Sequence, residues 1–159
     1  MPEQQPETTA ITAGRDASGA LSPTIWTSTT WQSNGLDDTS NAATSVHTTG
    51  NYARYSNPSV RDFERAVAEL ECAEDALAFG SGMGAITSII LALCSTGDHI
   101  VAQSQLYGGT VAFLNGPCKR LGIDVTFVDG SKPGAFAAVV KPGKTMLVLA
   151  ESPSNPQMD

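Results

Sequence analysis

Residues 80–103 read GSGMGAITSIILALCSTGDHIVAQ, and this stretch decides the fold class. Its pattern predicts a glycine-rich turn, then an apolar helix over Met83–Cys94 and a strand over His99–Gln103. The short apolar run Ala76–Phe79, directly before the turn, is interpreted as a buried strand. A strand, a turn, a helix and a second strand in this order are typical of a parallel sheet wound by right-handed crossovers.

The residues that follow continue the alternation of helices and strands. The pair Gly116–Pro117 should kink its helix, because proline lacks a backbone donor and clashes with the preceding turn. The predicted elements are a helix over Thr110–Leu121, a strand through Ile123, Val125 and Phe127, a short helix over 134–140 and a strand over Thr145–Ala150. The sequence therefore predicts an α/β fold with a mainly parallel sheet.

The chain changes character near residue 58. From Ser59 to Leu77 apolar residues recur at steps of three and four, which predicts an amphipathic helix that starts at a capping box. Residues 1–58 are instead rich in Thr, Ser and Asn, yet they contain Trp26 and Trp31. A segment of this length without a core is rare inside a compact domain. We expect an arm over 1–58 that packs on a partner, and an α/β domain over 59–159.

The composition excludes several classes of protein. Nine basic and 16 acidic residues give a formal charge of −7, which argues against a nucleic-acid partner. The apolar runs are too short to span a membrane, and the first residues lack the pattern of a signal peptide. The three cysteines and two histidines have no metal-binding spacing. We interpret the cysteines as small buried side chains and expect a cytoplasmic protein without a metal.

Glycine-rich turns suggest a phosphate site. The turn Gly80–Gly84 precedes a helix, whose first N–H groups attract anions, although a tight turn without a ligand fits equally well. A Rossmann site is disfavoured, because the glycine spacing differs and no acid follows the next strand. A Walker-like string over 138–145 precedes a strand rather than a helix, so we treat it as a chance match.

Four local motifs then occur in one order: YARYSNP at 52–58, SGMGA at 81–85, LYGGT at 106–110 and ESPSNP at 151–156, with GDH at 97–99 between them. In this combination the chain, from about Thr12 to Asp159, resembles the N-terminal portion of the Cys/Met-metabolism family of pyridoxal-phosphate enzymes. The resemblance implies the first part of a fold type I large domain preceded by an arm. It also implies pyridoxal 5′-phosphate as cofactor.

The resemblance assigns roles to individual residues. It implies that Ser81, Gly82 and Met83 bind the cofactor phosphate, and that the ring of Tyr107 stacks on the pyridine. By the same resemblance Asn155 reaches the cofactor hydroxyl or the substrate carboxylate. Tyr52 and Arg54 would grip the phosphate of a neighbouring subunit, as part of a homotetramer whose arms act in trans. At least one cis bond is expected in the string Ser152–Pro156.

The resemblance implies γ-replacement or γ-elimination on homoserine-derived or sulfur amino acids. The first choice is a cystathionine γ-synthase or O-acyl-homoserine sulfhydrylase. Cystathionine or methionine γ-lyase is the alternative, although many methionine γ-lyases carry a cysteine where this chain has Gly109. None of the lysines Lys119, Lys132, Lys141 and Lys144 matches the family's Schiff-base motif. We therefore expect a truncated chain, inactive and poorly stable alone. A further alternative is a non-catalytic remnant that associates with full-length subunits.

Overall fold

A computed structural model describes residues 5–15, 19–33, 35–37, 40, 51–156 and 158. The chain divides into two compact units, Met1–Ala78 and Phe79–Asp159. The predicted division at residue 58 differs from this boundary, because the helix that follows residue 58 packs within the first unit.

The first unit is built on two helices, α1 (Pro6–Thr12) and α2 (Pro58–Leu70), which pack together. The turn after α1 approaches α2 closely, since a Cβ on Gly14 would lie 2.5 Å from the carbonyl oxygen of Asp62. The segment around Trp26 is hydrogen-bonded to the start of α2. The N–H of Trp26 donates to Ser59 Oγ at 2.7 Å, and the carbonyl of Trp26 accepts from Asn57 Nδ2 at 3.2 Å.

The bounds of α2 differ from the prediction at both ends. Its N-cap is Asn57, whose side chain accepts from the N–H of Ser59, so Ser59 itself is not the cap. The helix ends at Leu70 rather than Leu77, because Cys72 adopts a left-handed conformation (φ 52°) and the N–H of Ala73 bonds back to Ala68. Left-handed helix ends usually carry glycine, and this one gives no such signal in the sequence.

The predicted strand over Ala76–Phe79 is wrong. The segment is irregular, and the backbone N–H of Ala78 donates to the carboxylate of buried Glu64 at 2.8 Å. The same carboxylate forms an ion pair with Arg61, which also pairs with Asp75. Polar side chains of α2 therefore hold this segment where a neighbouring strand was expected.

The second unit is a parallel sheet with helices. Its elements are α3 (Gly82–Leu93), β1 (His99–Gln103), α4 (Gly108–Phe113), a π-helical turn (Leu114–Cys118), β2 (Asp124–Val128), α5 (Ala135–Val139) and β3 (Thr145–Leu149). The strand order is β2-β1-β3, and both pairings are parallel. These findings confirm the predicted α/β class. The predicted kink at Gly116–Pro117 is the π-helical turn, which contains Pro117.

The core lies around the central strand, all of whose residues are buried. Its buried apolar residues come from α3, β1, the π-helical turn and the segments beside them: Ile90, Cys94, Ile100, Ala102, Leu106, Leu114, Cys118 and Ile123. Burial of Cys94 and Cys118 confirms the prediction for these two cysteines. Cys72 is exposed, so the prediction is wrong there.

A buried histidine ties the three strands together at their amino ends. His99 is 1 % exposed, and its two ring nitrogens lie 2.8 Å from the hydroxyls of Thr145 on β3 and Thr126 on β2. Burial, reinforced by Lys141 and opposed by Asp124, lowers the pKa of His99 below its usual value. The neutral imidazole is therefore the form that suits the fold.

Candidate functional site

The amino end of α3 presents two backbone donors for which no described residue supplies an acceptor. Ser81 is the N-cap: its hydroxyl accepts from the N–H of Gly84 at 3.0 Å, and its carbonyl accepts from Ala85 at 3.1 Å. Within the described part of the chain, the N–H groups of Gly82 and Met83 have no acceptor. Unpaired donors and the helix dipole together favour an anion at this position.

These donors border an open cleft of about 540 Å³ at the carboxyl ends of the strands. Ser81, Gly82 and Met83 form one side of it. The half-exposed Tyr107 and the carboxylate of Glu151 lie on the loops after β1 and β3, and Ile86, Leu106 and Leu149 contribute apolar walls. Ligands of open parallel sheets bind at this edge. The structure thus brings four of the predicted site residues together.

The ring of Tyr107 lies close to the start of α4. A Cβ on Gly109 would lie 2.5 Å from Tyr107 Cε1 and 3.3 Å from the sulfur of Met83. The sulfur also accepts a long hydrogen bond, 3.6 Å, from the hydroxyl of buried Thr110. Tyr107, Met83 and the bare backbone of Gly109 are therefore packed as one group.

Sequence reasoning missed Glu151, although the residue belongs to a quoted motif. Its carboxylate accepts from the backbone N–H of Tyr107 at 2.9 Å. An acid directly after an apolar strand, at the edge where ligands bind, was the signal that could have identified it.

Tyr52 and Arg54 lie in the first unit, in a cluster of aromatic rings. The guanidinium carbon of Arg54 lies 4.9 Å from the ring centre of Tyr52 and 5.7 Å from that of Tyr55. Tyr52 also forms an isolated antiparallel bridge with Thr30. The cluster holds Arg54 by cation–π contacts and leaves its side chain exposed, so its donors can reach an anion.

Asn155 is exposed and does not line the cleft. It follows the buried Ser154 in the segment after β3. The bonds Ser152–Pro153 and Asn155–Pro156 are both cis, which confirms the prediction of at least one cis bond.

The geometry of the cleft suits a flat aromatic ligand that carries an anionic group. Two backbone donors are placed where an anion could bind, Tyr107 offers a ring face, and aliphatic side chains line the remainder. None of the described helices is long and apolar enough to cross a membrane.

Comparison with known proteins identifies a family with such a ligand. The family described as Cys/Met metabolism PLP-dependent enzyme matches residues 7–159. The chain is 45 % identical to the O-succinylhomoserine sulfhydrylase of Pseudomonas aeruginosa over 66 % of its own length and 26 % of that protein. It is equally 45 % identical to the L-methionine gamma-lyase of Treponema denticola, over 67 % of its length and 26 % of that protein.

A solved structure gives the same result for the fold. It is a Campylobacter jejuni protein, provisionally identified as an O-acetylhomoserine (thiol)-lyase, and it contains pyridoxyl-lysine monophosphate. Its TM-score is 0.85 at 25 % identity, over 99 % of this chain and 39 % of that one. The chain thus spans well under half the length of the proteins it matches.

Proposed function

Since the chain belongs to the Cys/Met metabolism family of pyridoxal-phosphate-dependent enzymes, we propose that the cleft of its second unit holds the cofactor. The observation that carries this proposal is that Gly82 and Met83, whose N–H groups have no acceptor among the described residues, line the same cleft as Tyr107. The donors suit the phosphate, and the ring suits the pyridine. Bound pyridoxal phosphate acts as an electron sink for carbanions of an amino-acid substrate.

The residues of this chain bind and orient the cofactor in this proposal. Gly82 and Met83 donate to the phosphate without adding a charge. The hydroxyl of Ser81 accepts the capping hydrogen bond from Gly84, and it donates its own proton to the phosphate. Tyr107 stacks on the ring and limits its tilt. The side chains of Ile86, Leu106 and Leu149 offer apolar contacts to the ring of the cofactor.

We extend the proposal to residues outside the cleft. Tyr52 and Arg54 grip the phosphate in a neighbouring subunit of a homotetramer, and Asn155 reaches the cofactor hydroxyl or the substrate carboxylate. What supports action in trans is the exposed apolar surface of the arm, which includes Ile25 and Leu36 at 83 % and 89 % exposure. A neighbouring subunit that covered these side chains would gain the free energy of burying their apolar surface. A cytoplasmic location completes the proposal.

The proposed reaction is γ-replacement on an O-acyl-homoserine, of the cystathionine γ-synthase or sulfhydrylase type. The thiol sulfur bonds to the γ-carbon, and the acyl group leaves as a carboxylate. Cystathionine or methionine γ-lyase activity is the alternative, in which a thiol, ammonia and a 2-oxo acid are released. Gly109, where many methionine γ-lyases carry a cysteine, counts against methionine γ-lyase activity, and it does not separate the synthase, sulfhydrylase and cystathionine γ-lyase reactions.

The experiment removes one of the donors proposed to bind the phosphate. Gly82→Pro deletes the N–H at the first residue of α3, where proline is well tolerated, and Ser81 already has the extended conformation that precedes proline (φ −162°, ψ 156°). Gly82→Ala is the matched control, since a Cβ there meets no atom within 4 Å and the N–H remains. The variants are made in the full-length protein that contains this sequence.

Loss of one charge-assisted hydrogen bond, about 1.5–3 kcal/mol, should weaken pyridoxal-phosphate binding roughly 10–100-fold in Gly82→Pro and leave Gly82→Ala near wild type. The wild-type holoenzyme should convert O-acyl-homoserine plus thiol faster than it releases a 2-oxo acid from methionine. Equal cofactor affinity of the two variants would contradict the phosphate site. Preference for methionine would contradict the proposed reaction while leaving the site intact.

A further inference from the structure

A hydrogen bond fixes the backbone of Tyr107 to the neighbouring strand. Tyr107 follows β1, and its N–H donates to Glu151 Oε2, on the loop after β3, at 2.9 Å. The carbonyl of Tyr107 accepts from Thr110 and Val111 in the first turn of α4. The Tyr107 side chain is 52 % exposed, so packing alone holds its ring weakly. The backbone hydrogen bonds therefore fix the position from which the Tyr107 side chain extends.

Glu151 is itself held by a residue of β1. Its N–H donates to Gln103 Oε1 at 3.2 Å, and Gln103, the last residue of β1, is 8 % exposed. The amide of Gln103 lies against Gly130, where a Cβ would come within 2.7 Å of Gln103 Cδ. The series Gly130, Gln103, Glu151 and Tyr107 thus connects the loops after all three strands.

We propose that Glu151 is a positioning residue, which places the ring of Tyr107 at the cleft by accepting its backbone N–H. The inference rests on the proposed function, since it concerns the ring that meets the cofactor. What Glu151 contributes is a hydrogen-bond acceptor at a fixed point, not its negative charge. A glutamine, which keeps a carbonyl oxygen at the same distance along the side chain, should therefore serve almost as well.

The test compares Glu151→Gln with Glu151→Leu in the full-length holoenzyme. Leucine removes the acceptor and keeps similar bulk. Glu151→Leu should lower kcat/KM at least about 10-fold and alter the visible circular dichroism of bound pyridoxal phosphate, since a misplaced group costs rate and changes the asymmetry around the ring. Glu151→Gln should restore both to within about 3-fold of wild type. Wild-type behaviour of Glu151→Leu, or a Gln variant as impaired as the Leu variant, would overturn the inference.

Amide hydrogen exchange and cofactor binding together distinguish failure of this inference from failure of the proposed function. In the protein without cofactor, amide hydrogen exchange at Tyr107 should accelerate in Glu151→Leu and stay protected in Glu151→Gln, because the exchange reports the hydrogen bond itself. If the amide behaves so but no variant binds pyridoxal phosphate, the proposed function is wrong and the hydrogen bond stands. If the amide exchanges equally in all three proteins, the inference is wrong even when the cofactor binds.

A remote variant covers the case in which Glu151→Leu does not fold. Gly130→Ala leaves Glu151 and Tyr107 unchanged but displaces the amide of Gln103. It should produce the same change in cofactor circular dichroism as Glu151→Leu, to a smaller extent. A folded Gly130→Ala protein with the wild-type spectrum and wild-type exchange at Tyr107 would count against the series of contacts.

Discussion

Adding one methyl group at Gly109 should displace the ring of Tyr107 without unfolding the protein. The new Cβ of Gly109→Ala would lie 2.5 Å from Tyr107 Cε1, 3.2 Å from Cδ1 and 3.3 Å from the sulfur of Met83. Carbon atoms pack at about 3.5–4.0 Å, so the ring must move by about 1 Å or more. Tyr107 is half-exposed and can move, whereas a buried ring would resist.

The magnitude follows from the displacement. A group misplaced by about 1 Å costs up to about 10²-fold in rate, so we expect kcat/KM of Gly109→Ala to fall roughly 10–100-fold. Alanine is a better helix former than glycine by about 1 kcal/mol, so the melting temperature should stay or rise. A loss of activity with undiminished stability separates ring placement from general damage.

The neighbouring glycine supplies the control. Gly108 also lies in the first turn of α4, and a Cβ there meets no atom within 4 Å. Gly108→Ala therefore carries the same change in helix propensity without the collision. The assay is steady-state turnover of O-acyl-homoserine with a thiol, together with the visible circular dichroism of the holoenzyme. Equal kcat/KM for the two alanine variants would refute the reasoning.

The remaining predictions concern buried groups. His99→Leu should destabilise the protein by about 1–3 kcal/mol, because it removes two hydrogen bonds and leaves two threonine hydroxyls facing a leucine. The substitution should also flatten the pH dependence of the stability. Because the pKa of His99 is lowered in the folded protein, the stability of the wild type must fall as the pH drops below about 6.5, where the unfolded chain takes up the proton. Melting temperatures of both proteins between about pH 5 and about pH 8 test this, and parallel curves would contradict it. In the native protein, iodoacetamide should label Cys72, which is exposed, as shown by peptide mapping. It should label Cys94 and Cys118 only after unfolding, because burial raises the pKa of both of these thiols. Labelling of Cys118 in the native protein would count against the packing described.

The strands of the second unit could be predicted because each is a short apolar run bounded by residues that break strands. Gly97 and Asp98 precede β1, and Asp129 follows β2. The end of α2 could not be predicted, because Cys72 takes the left-handed conformation that a glycine would normally announce. The segment Ala76–Phe79 has the composition of a strand, but no described strand pairs with it and a carboxylate binds its backbone.

In the candidate site, too, some residues could be predicted from the sequence and others could not. Gly82 and Met83 were identified because a helix start is a local feature of the sequence. Glu151 was not, because its hydrogen bond reaches a backbone group 44 residues away, and its position directly after an apolar strand was the one local signal for it. Gly109 was noticed only as a difference from other proteins, and its physical meaning, the contact with Tyr107, needed the fold.

The two halves of the cleft are held by separate sets of contacts, and this separation has a consequence for catalysis. The side proposed for the phosphate depends on the first turn of α3 and its cap Ser81, whereas the side of the Tyr107 ring depends on Glu151, Gln103 and Gly109. Changes to the first set should alter cofactor affinity, because they remove donors to a charged group. Changes to the second set should alter turnover more than affinity, because they shift a ring that is proposed to stack on the cofactor, and stacking contributes only about 0.5–1.5 kcal/mol. Coupling between the sets passes through Met83, whose backbone serves the first and whose sulfur contacts the second. Met83 is therefore the residue at which affinity and turnover should change together.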